Sequence, residues 1–236
     1  PPEDRKLIKN KWVYKVKRDS EGKVIKHKAR LVAKGYTQIE GIDYAETFSP
    51  TIHFSTIRTL LSVSTERDWE LEQVDVDTAF LYADLDEELY MKQPEGYEDP
   101  DHPNWVCKLH KSLYGLKQAS HLWNKRLRGT LEGLGYASVH SDQCCFFKAG
   151  DGEPEGIIAV YVDDMILAGP DPSKLAQLKR SIEAEYQIKD LGEATWILGM
   201  SIQRNRASKT LFLTQERYIQ DMCETYDPHS AKEKDL

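Results

Sequence analysis

The sequence predicts an α+β fold in which an antiparallel sheet is packed by helices. Two short apolar runs, residues 157–162 and 165–167, are bounded by glycines and separated by an Asp-Asp pair. Runs of this kind are typical of buried strands, so the acid pair is expected at the tip of a tight hairpin. Helical periodicity over residues 117–134, and again after Asp171-Pro172, supplies helices to cover the sheet.

The other elements follow from local periodicity and turn signals. In chain order, the pattern predicts a basic hairpin (Trp12 to Lys17 and Val24 to Ala33, with a turn at Asp19–Gly22), a helix from a Ser55 cap to about Asp68, a strand over 72–80, a strand over 144–148 and a last helix from a Thr214 cap to Tyr226. Residues 84–101 hold eight acids and one lysine, which predicts a solvated acidic loop.

Composition favours a folded intracellular protein. Of the 236 residues, 40% are hydrophobic, and no apolar run approaches the ~20 residues that a membrane helix needs. The four cysteines include no CxxC pair, which indicates a reducing compartment. We therefore expect no membrane partner.

The distribution of charge is more informative than the net charge of −7. Residues 1–36 hold twelve Lys/Arg and four Asp/Glu, a local balance of +8, and residues 104–131 hold six Lys/Arg and no acid. Two basic stretches in an otherwise acidic chain fit a protein that grips phosphates around an acidic, metal-binding centre. For either stretch alone, an ordinary solvated face explains the charge equally well.

Two groups of acids are candidate metal ligands. Asp163 and Asp164 repel each other on a rigid hairpin, and a divalent cation such as Mg²⁺ would neutralise them, although Asp-Asp is also ordinary turn chemistry. Asp75 and Asp77 lie on the strand predicted over 72–80. If that strand pairs with the hairpin, one of its acids joins the pair, and three carboxylates can then hold two metal ions for phosphoryl transfer.

Several motifs make the chain resemble the polymerase domain of copia-type LTR retrotransposons. Tyr161-Val-Asp-Asp164 resembles the YxDD box of reverse transcriptases, and Val74-Asp-Val-Asp-Thr-Ala-Phe80 resembles their first aspartate motif. The other motifs, all in family order, are Lys28-Ala-Arg-Leu-Val-Ala-Lys-Gly35, Thr47-Phe-Ser-Pro50, Leu85-Asp-Glu-Glu-Leu-Tyr-Met-Lys-Gln-Pro-Glu-Gly96, Ser112-Leu-Tyr-Gly-Leu-Lys-Gln-Ala119 and Lys189-Asp-Leu-Gly192. Each motif is weak alone, but the ordered set is specific.

The resemblance implies a right-hand polymerase fold with fingers, an antiparallel palm sheet packed by helices, and little of the thumb. The expected divisions are a lead-in over 1–10, fingers with the basic hairpin over 11–54, the palm with remaining fingers elements over 55–200, and the end of the palm with the start of the thumb over 201–236.

The resemblance also assigns roles to individual residues. Catalysis is expected from Asp75, Asp163, Asp164 and Lys189; metal binding from Asp75, Asp163, Asp164 and the backbone oxygen of Val76; dNTP binding from Lys17, Arg30, Phe80 and Gln118; and the primer grip from Leu198, Gly199 and Met200. Asp77 is not expected to be essential. Phe80 is expected to exclude a ribose 2′-hydroxyl, with core packing as the competing explanation.

The implied function is RNA-directed DNA polymerisation with two Mg²⁺ ions, Mn²⁺ being the alternative. The implied partners are an RNA or DNA template with its primer, dNTP, and other segments of a retrotransposon polyprotein; the oligomeric state stays open. A virus-like particle in the cytoplasm, or the nucleus, is the implied location. The usual Pro-Arg after the alanine of the Ser112 motif is replaced by Ser120-His121, which removes a positive charge near the template.

Three other functions fit some of the same residues. They are a degenerate or domesticated fragment that binds nucleic acid without polymerising it, a structural partner in a larger particle, and a metal nuclease. Intact acids argue against the first, and a nuclease would not need Phe80 and Gln118.

Overall fold

The computed structural model describes Pro2 and residues 5–18 and 23–226. The described residues contain thirteen strands: β1 (Asn10–Arg18), β2 (Val24–Ala33), β3 (Glu70–Val76), β4 (Asp84–Lys92), β5 (Val106–Lys111), β6 (Ala137–Val139), β7 (Asp142–Lys148), β8 (Gly156–Tyr161), β9 (Asp164–Gly169), β10 (Ile188–Glu193), β11 (Trp196–Ile197), β12 (Met200–Asn205) and β13 (Thr210–Thr214). They also contain four α-helices: α1 (Phe54–Glu66), α2 (Ala119–Gly133), α3 (Pro172–Glu183) and α4 (Glu216–Tyr226). The α+β prediction is confirmed, and the chain folds into two compact units.

The first unit comprises Pro1–Thr51, Val76–Gly135 and Ile182–Gln187. It contains the predicted basic hairpin, in which β1 and β2 pair antiparallel from Asn10↔Ala33 onward. The turn predicted at Asp19–Gly22 lies outside the described residues. Within the stretch expected as a lead-in, Ile8 is buried and bridges to Met91 in β4.

A small apolar core holds the first unit together. The buried residues of this core are Ile8, Ala33, Leu89, Met91, Leu116 and Ala119. The last of these opens α2, whose inward positions Leu122, Trp123, Leu127 and Leu131 recur at the spacing of one helix face. The helix ends where Gly135 adopts φ +86°, as the sequence predicts, because glycine tolerates this left-handed backbone without strain.

The acidic loop predicted over residues 84–101 is wrong for its first half. Residues 84–92 form β4, which pairs antiparallel with β5. Exposed and inward positions alternate along β4, so that Leu89 and Met91 reach the core while Asp84, Asp86 and Glu88 are exposed. Glu87 is half-buried on the inward side. The count of charges concealed this two-residue period.

The second unit comprises Ile52–Asp75, Tyr136–Ser181 and Ile188–Leu236. Its centre is a six-stranded sheet in the order β10-β3-β9-β8-β7-β6. The central strands are nearly all apolar because both faces are covered, as burial of Met165, Ile166 and Leu167 shows. On one face, α1 packs with β11–β13 around a core that includes Ile57, Leu61 and Ile166.

Helix α3 covers the other face of this sheet. The four residues predicted to point inward from this region, Leu175, Leu178, Ile182 and Tyr186, are all buried. Asp171 caps the helix as predicted, since its Oδ1 accepts a hydrogen bond from the backbone N–H of Ser173 at 2.8 Å. Among the described helices, none is long and apolar enough to cross a membrane.

The cap of α1 differs from the prediction. His53, not Ser55, precedes the helix, and the carboxylate of Asp142 on β7 takes the place of a local cap. Its Oδ2 accepts from the backbone N–H of His53 at 2.9 Å and from Thr56 Oγ1 at 2.6 Å. Its Oδ1 accepts from the backbone N–H of Cys144 at 3.0 Å. A buried negative charge at a helix N-terminus is also favoured by the helix dipole.

We expect Asp142→Asn to destabilise the protein by about 2 kcal/mol at pH 7, because buried donors lose a charged acceptor. Burial acts to raise the pKa of Asp142, but the hydrogen bonds from Thr56, His53 and Cys144 outweigh it, so the pKa is lowered on folding. The contribution of the Asp142 carboxylate to stability is therefore present above its unfolded pKa of about 3.9 and is lost as the pH falls through its folded pKa. Urea unfolding of the wild-type and Asp142→Asn proteins from pH 7 to pH 3 measures the difference between their free energies of unfolding. A difference that does not narrow at low pH contradicts the prediction.

Candidate active site

The Asp-Asp pair lies at the tip of the β8–β9 hairpin, as predicted. Tyr161 pairs with Asp164 across the hairpin, so Val162 and Asp163 form the turn. Val162 has φ +57°, a left-handed conformation that is strained for a β-branched residue. Backbone strain of this kind concentrates at functional sites, where surrounding structure enforces it.

Strand β3 brings a third acid to this tip. It pairs antiparallel with β9, and Asp75 is the direct partner of Asp164. Directly opposed residues project to the same face of a sheet, with their Cα atoms about 5 Å apart. The predicted pairing is therefore confirmed, and it selects Asp75 over Asp77.

The strand predicted over 72–80 ends earlier than expected. It stops at Val76, Thr78 takes φ +57°, and Ala79–Tyr82 form a short 3-10 turn. Asp77 therefore lies beyond the sheet, in the first unit, where its backbone N–H donates to Gln187 O at 2.9 Å. Val76, the predicted backbone ligand, is the buried last residue of the strand.

The three acids interact electrostatically. Burial raises the pKa of Asp164, and the negative charges of Asp163 and Asp75 raise it further. Gln73 opposes this by donating from Nε2 to Asp164 Oδ1 at 3.4 Å. A positive charge placed here would relieve the repulsion, and one is present: Nζ of Lys189, on β10, lies 3.4 Å from Oδ2 of Asp75.

The donor set suits a hard divalent cation, because it consists of carboxylate oxygens on adjacent strands. The side chains do not close around one point, however. Within the described residues, no three His, Cys, Asp or Glu side chains are placed to hold an ion together. Asp75 is turned towards Lys189, so its carboxylate would have to turn to join the other two.

The first unit contains the residues predicted to bind dNTP. The guanidinium of Arg30 lies over the ring of Tyr114, 5.7 Å from its centroid, and that ring meets Phe80 edge-on at 5.1 Å. Tyr114 thus connects two of the predicted residues, and sequence reasoning missed it although its motif had been singled out. Phe80 is half-buried and also packs against the core of this unit.

Lys17 lies on the same face of the basic hairpin as Arg30 but farther towards its tip. Lys17 pairs with Lys26 and Arg30 with Val13, so about 13 Å of strand separates them. The face they share carries Lys11, Lys15, Lys17, Lys26, Lys28 and Arg30. Two pairs on it, Lys15 with Lys28 and Lys17 with Lys26, place like charges directly opposite each other, which destabilises a free hairpin.

Gln118 is placed inside the first unit. It is 1% exposed, and its Nε2 donates to Asp43 O at 2.8 Å and to Glu87 Oε2 at 3.1 Å. Its Oε1 accepts from Gln38 Nε2 at 3.0 Å. The amide is therefore occupied by the protein, and its direct effect here is to hold the chain at the start of α2.

Other predicted residues are placed as follows. Leu198 and Gly199 form the two-residue turn between β11 and β12, both with positive φ, and Met200 is buried in the core of the second unit. Ser120 and His121, which replace the usual Pro-Arg, both contact the Thr47–Pro50 segment. Ser49 Oγ donates to Ser120 O at 3.2 Å, and His121 Nδ1 lies 2.7 Å from Phe48 O.

The second basic stretch is not an open cationic surface. Lys111 pairs with Asp84 at 2.6 Å, Lys125 with Asp86 at 3.1 Å, and Lys108 with Glu88. Three of the four lysines of residues 104–131 thus pair with acids of β4, within one unit. The strands β1 and β2, which contain no Asp or Glu, are the stronger candidate for binding phosphates.

Comparison with known proteins gives the family of the chain. The family described as reverse transcriptase (RNA-dependent DNA polymerase) matches residues 1–234. The chain belongs to this reverse transcriptase family. It is 45% identical over 231 residues to the Retrovirus-related Pol polyprotein from transposon TNT 1-94 of Nicotiana tabacum, covering 98% of this chain and 17% of that protein.

Two further relatives agree. The Retrovirus-related Pol polyprotein from transposon RE1 of Arabidopsis thaliana is 40% identical over 232 residues, covering 98% of this chain and 16% of that protein. A putative transposon Ty5-1 protein of Saccharomyces cerevisiae is 36% identical over 146 residues, covering 62% of this chain and 47% of that protein. The reverse transcriptase chain thus spans about one-sixth of the two polyproteins, and the resemblance to retrotransposon polymerases is confirmed.

Proposed function

We propose that the chain catalyses RNA-directed DNA polymerisation, in which a primer 3′-hydroxyl attacks the α-phosphate of a dNTP and pyrophosphate leaves. The observation that carries the proposal is the direct pairing of Asp75 with Asp164 beside the Asp163 turn. This pairing places two carboxylates on neighbouring strands, next to the third in the turn, in a chain that belongs to the reverse transcriptase family.

Asp75, Asp163 and Asp164 would hold two Mg²⁺ ions, with Mn²⁺ as the substitute and the Val76 carbonyl as a further ligand. Bound there, the ions would lower the pKa of the 3′-hydroxyl and neutralise charge on the phosphates. The strained Val162 turn fixes the backbone of Asp163, and Gln73 orients Asp164. Such sites act by positioning and electrostatic stabilisation.

Lys189 would release Asp75 when cations arrive and act on the leaving pyrophosphate. It is within 3.4 Å of Asp75 and half-exposed, so its ammonium can turn from one anion to another. In the finer assignment, which follows the resemblance to right-hand polymerases, it serves as the proton donor to the pyrophosphate.

The first unit would bind the nucleotide through the row Arg30, Tyr114 and Phe80. Arg30 offers phosphate oxygens a planar fork of donors, and Lys17 on the same face supplies a second charge. Tyr114 orients both neighbours, because its ring contacts each of them. Gln118 acts as a positioning residue through its buried bonds, and Phe80 contacts the sugar.

The proposed primer contact, partners and location also follow from the resemblance to polymerases with fingers and palm. The turn at Leu198 and Gly199, with Met200 anchored in the core, would contact the primer's 3′ end. The template, its primer and neighbouring polyprotein segments are the proposed partners. A virus-like particle or the nucleus is the proposed location.

Extension of a labelled primer on RNA and on DNA templates, with a parallel gel-shift assay, separates the candidate functions. Polymerase activity predicts added nucleotides on the primer in both cases. Binding without extension supports a nucleic-acid-binding fragment, for which the Ser120-His121 departure is the favouring feature. Nicking of unprimed substrate supports a nuclease, and the absence of both binding and chemistry supports a structural role.

We expect binding to primer–template to depend strongly on salt despite the net charge of −7. Each phosphate neutralised contributes roughly −0.9 to the log–log salt slope on duplex, so Lys15→Gln with Lys26→Gln should reduce the slope by about 2. Filter-binding titrations in a salt series measure it. The matched control is Lys108→Gln with Lys111→Gln, whose ammonium groups pair with acids and should leave the slope unchanged. Equal slopes for the hairpin variant and wild type would remove the hairpin from the interface.

A further inference from the structure

Lys179 joins three elements of the second unit on the sheet face that α3 covers. It projects from α3, and its Nζ lies 2.6 Å from Oδ2 of Asp190 on β10 and 2.6 Å from Oε2 of Glu72 on β3. The contact with Asp190 is also a hydrogen bond, whereas the contact with Glu72 is an ion pair without hydrogen-bond geometry. The Lys179 side chain is 17% exposed, so solvent screens these contacts less than it screens surface pairs.

The two strands that Lys179 joins carry the Asp75–Lys189 contact on the opposite face. Successive side chains of a strand point to opposite faces, so Asp190 and its neighbour Lys189 face opposite ways. Glu72 and Asp75, three positions apart on β3, also face opposite ways. One face therefore has Lys179 between Glu72 and Asp190, and the other has Lys189 beside Asp75.

Among the described strands, β10 has a hydrogen-bonded neighbour on one side. It is the edge strand of the sheet, where its described neighbour is β3, and residues 189–193 are all exposed. Asp190 is well held, because its Oδ1 also accepts from the backbone N–H of Gly192 at 3.0 Å. Lys179 and this hydrogen bond hold the pKa of Asp190 below its usual range, so the ion pair persists at neutral pH.

We infer that Lys179 is a positioning residue that ties β10 to β3 and thereby sets Lys189 beside Asp75. The inference deepens the proposed function, on which its catalytic half rests. Without Lys179, the edge strand keeps its ladder with β3 but loses the tie on the α3 face. The Lys189 ammonium then samples more positions, and fewer of them reach Asp75 or a bound phosphate.

Two measurements on the full chain test this, using Lys179→Met and the matched control Lys174→Met. Lys174 is on the same helix and pairs with Glu155 at 2.7 Å, but not with β10. In hydrogen exchange, Lys179→Met should speed exchange of the β10 peptide (residues 188–193) at least threefold, and Lys174→Met should not. In primer extension, Lys179→Met should lower kcat about tenfold with a smaller change in KM for dNTP, and Lys179→Arg should restore most of it.

A double-mutant cycle with Lys189→Met separates positioning from general stability. If Lys179 acts through Lys189, the double variant is no slower than Lys189→Met alone. Losses that multiply, or β10 exchange unchanged from wild type, overturn the inference. If the wild-type chain does not extend a primer, the proposed function fails, while the exchange measurement still decides whether Lys179 holds β10.

Discussion

Asp163→Asn is expected to reduce primer extension by a factor of about 10³ or more while leaving the protein folded. In the proposed mechanism the carboxylate acts through its charge on a bound cation, and an amide of the same shape cannot replace that charge. Asp75→Asn should behave alike, since Asp75 sits opposite Asp164 on the neighbouring strand. Single-turnover extension on a primed RNA template measures the loss.

The thermal stability of the Asp163→Asn variant should not fall with its activity. Asp163 and Asp75 both raise the pKa of Asp164, because their negative charges repel its carboxylate in the folded protein. Removing one charge relieves this, so Asp163→Asn should melt at or above the wild-type temperature, a common trade-off at active sites. Asp77→Asn is the matched control, because Asp77 lies two residues after Asp75 but beyond the end of the strand. The Asp77→Asn variant should retain activity. Near-normal extension by Asp163→Asn, or a clear fall in its melting temperature, would contradict the assignment.

Phe80→Val is expected to reduce discrimination between dNTP and rNTP by on the order of tenfold or more, about 1.4 kcal/mol, mainly through better rNTP incorporation. The ring is half-buried and meets Tyr114 edge-on, so it has a fixed position from which to exclude a 2′-hydroxyl. Phe80→Tyr should retain discrimination because the ring remains. Single-nucleotide incorporation with matched dNTP and rNTP gives the ratio.

The competing explanation is that Phe80 only packs the core of the first unit, which it also contacts. Truncation would then lower stability by about 2–4 kcal/mol and slow both nucleotides alike. Phe146→Val is the matched control, since Phe146 is 2% exposed in the core of the second unit. It should lower the melting temperature without changing the ratio. A Phe80→Val ratio that also stays unchanged would leave Phe80 as a core residue.

The parts of the site that sequence predicted are those determined by short-range patterns. The turn at Val162 and Asp163 lies between two strands of six residues each, the second of which begins at Asp164, and its position follows from the spacing of their apolar residues alone. The strand pattern alone narrowed the partner acid to Asp75 or Asp77, and the resemblance to the family selected Asp75. The strand ends at Val76, before Asp77, and Thr78 then takes φ +57°. No local signal in the sequence marks that change.

Contacts between residues far apart in the chain could not be predicted from the sequence. The cap of α1 comes from Asp142, 89 residues from His53, so a plausible local cap at Ser55 was predicted instead. The acidic run over residues 84–101 and the basic run over residues 104–131 were treated separately. Strands β4 and β5 pair, however, and this brings acids of the first run to lysines of the second. Tyr114 is recognised as a candidate site residue only through its contacts with Arg30 and Phe80, which lie far from it in the sequence.

The most direct test of the account is incorporation of one dNTP opposite an RNA template base, with Mg²⁺, using primers that end in a 3′-hydroxyl or in a 3′-deoxy sugar. The account predicts that the first primer gains the complementary nucleotide, that the second gains none, and that Asp163→Asn extends neither although it binds both. A wild-type chain that binds the primed RNA but adds no nucleotide would contradict the account.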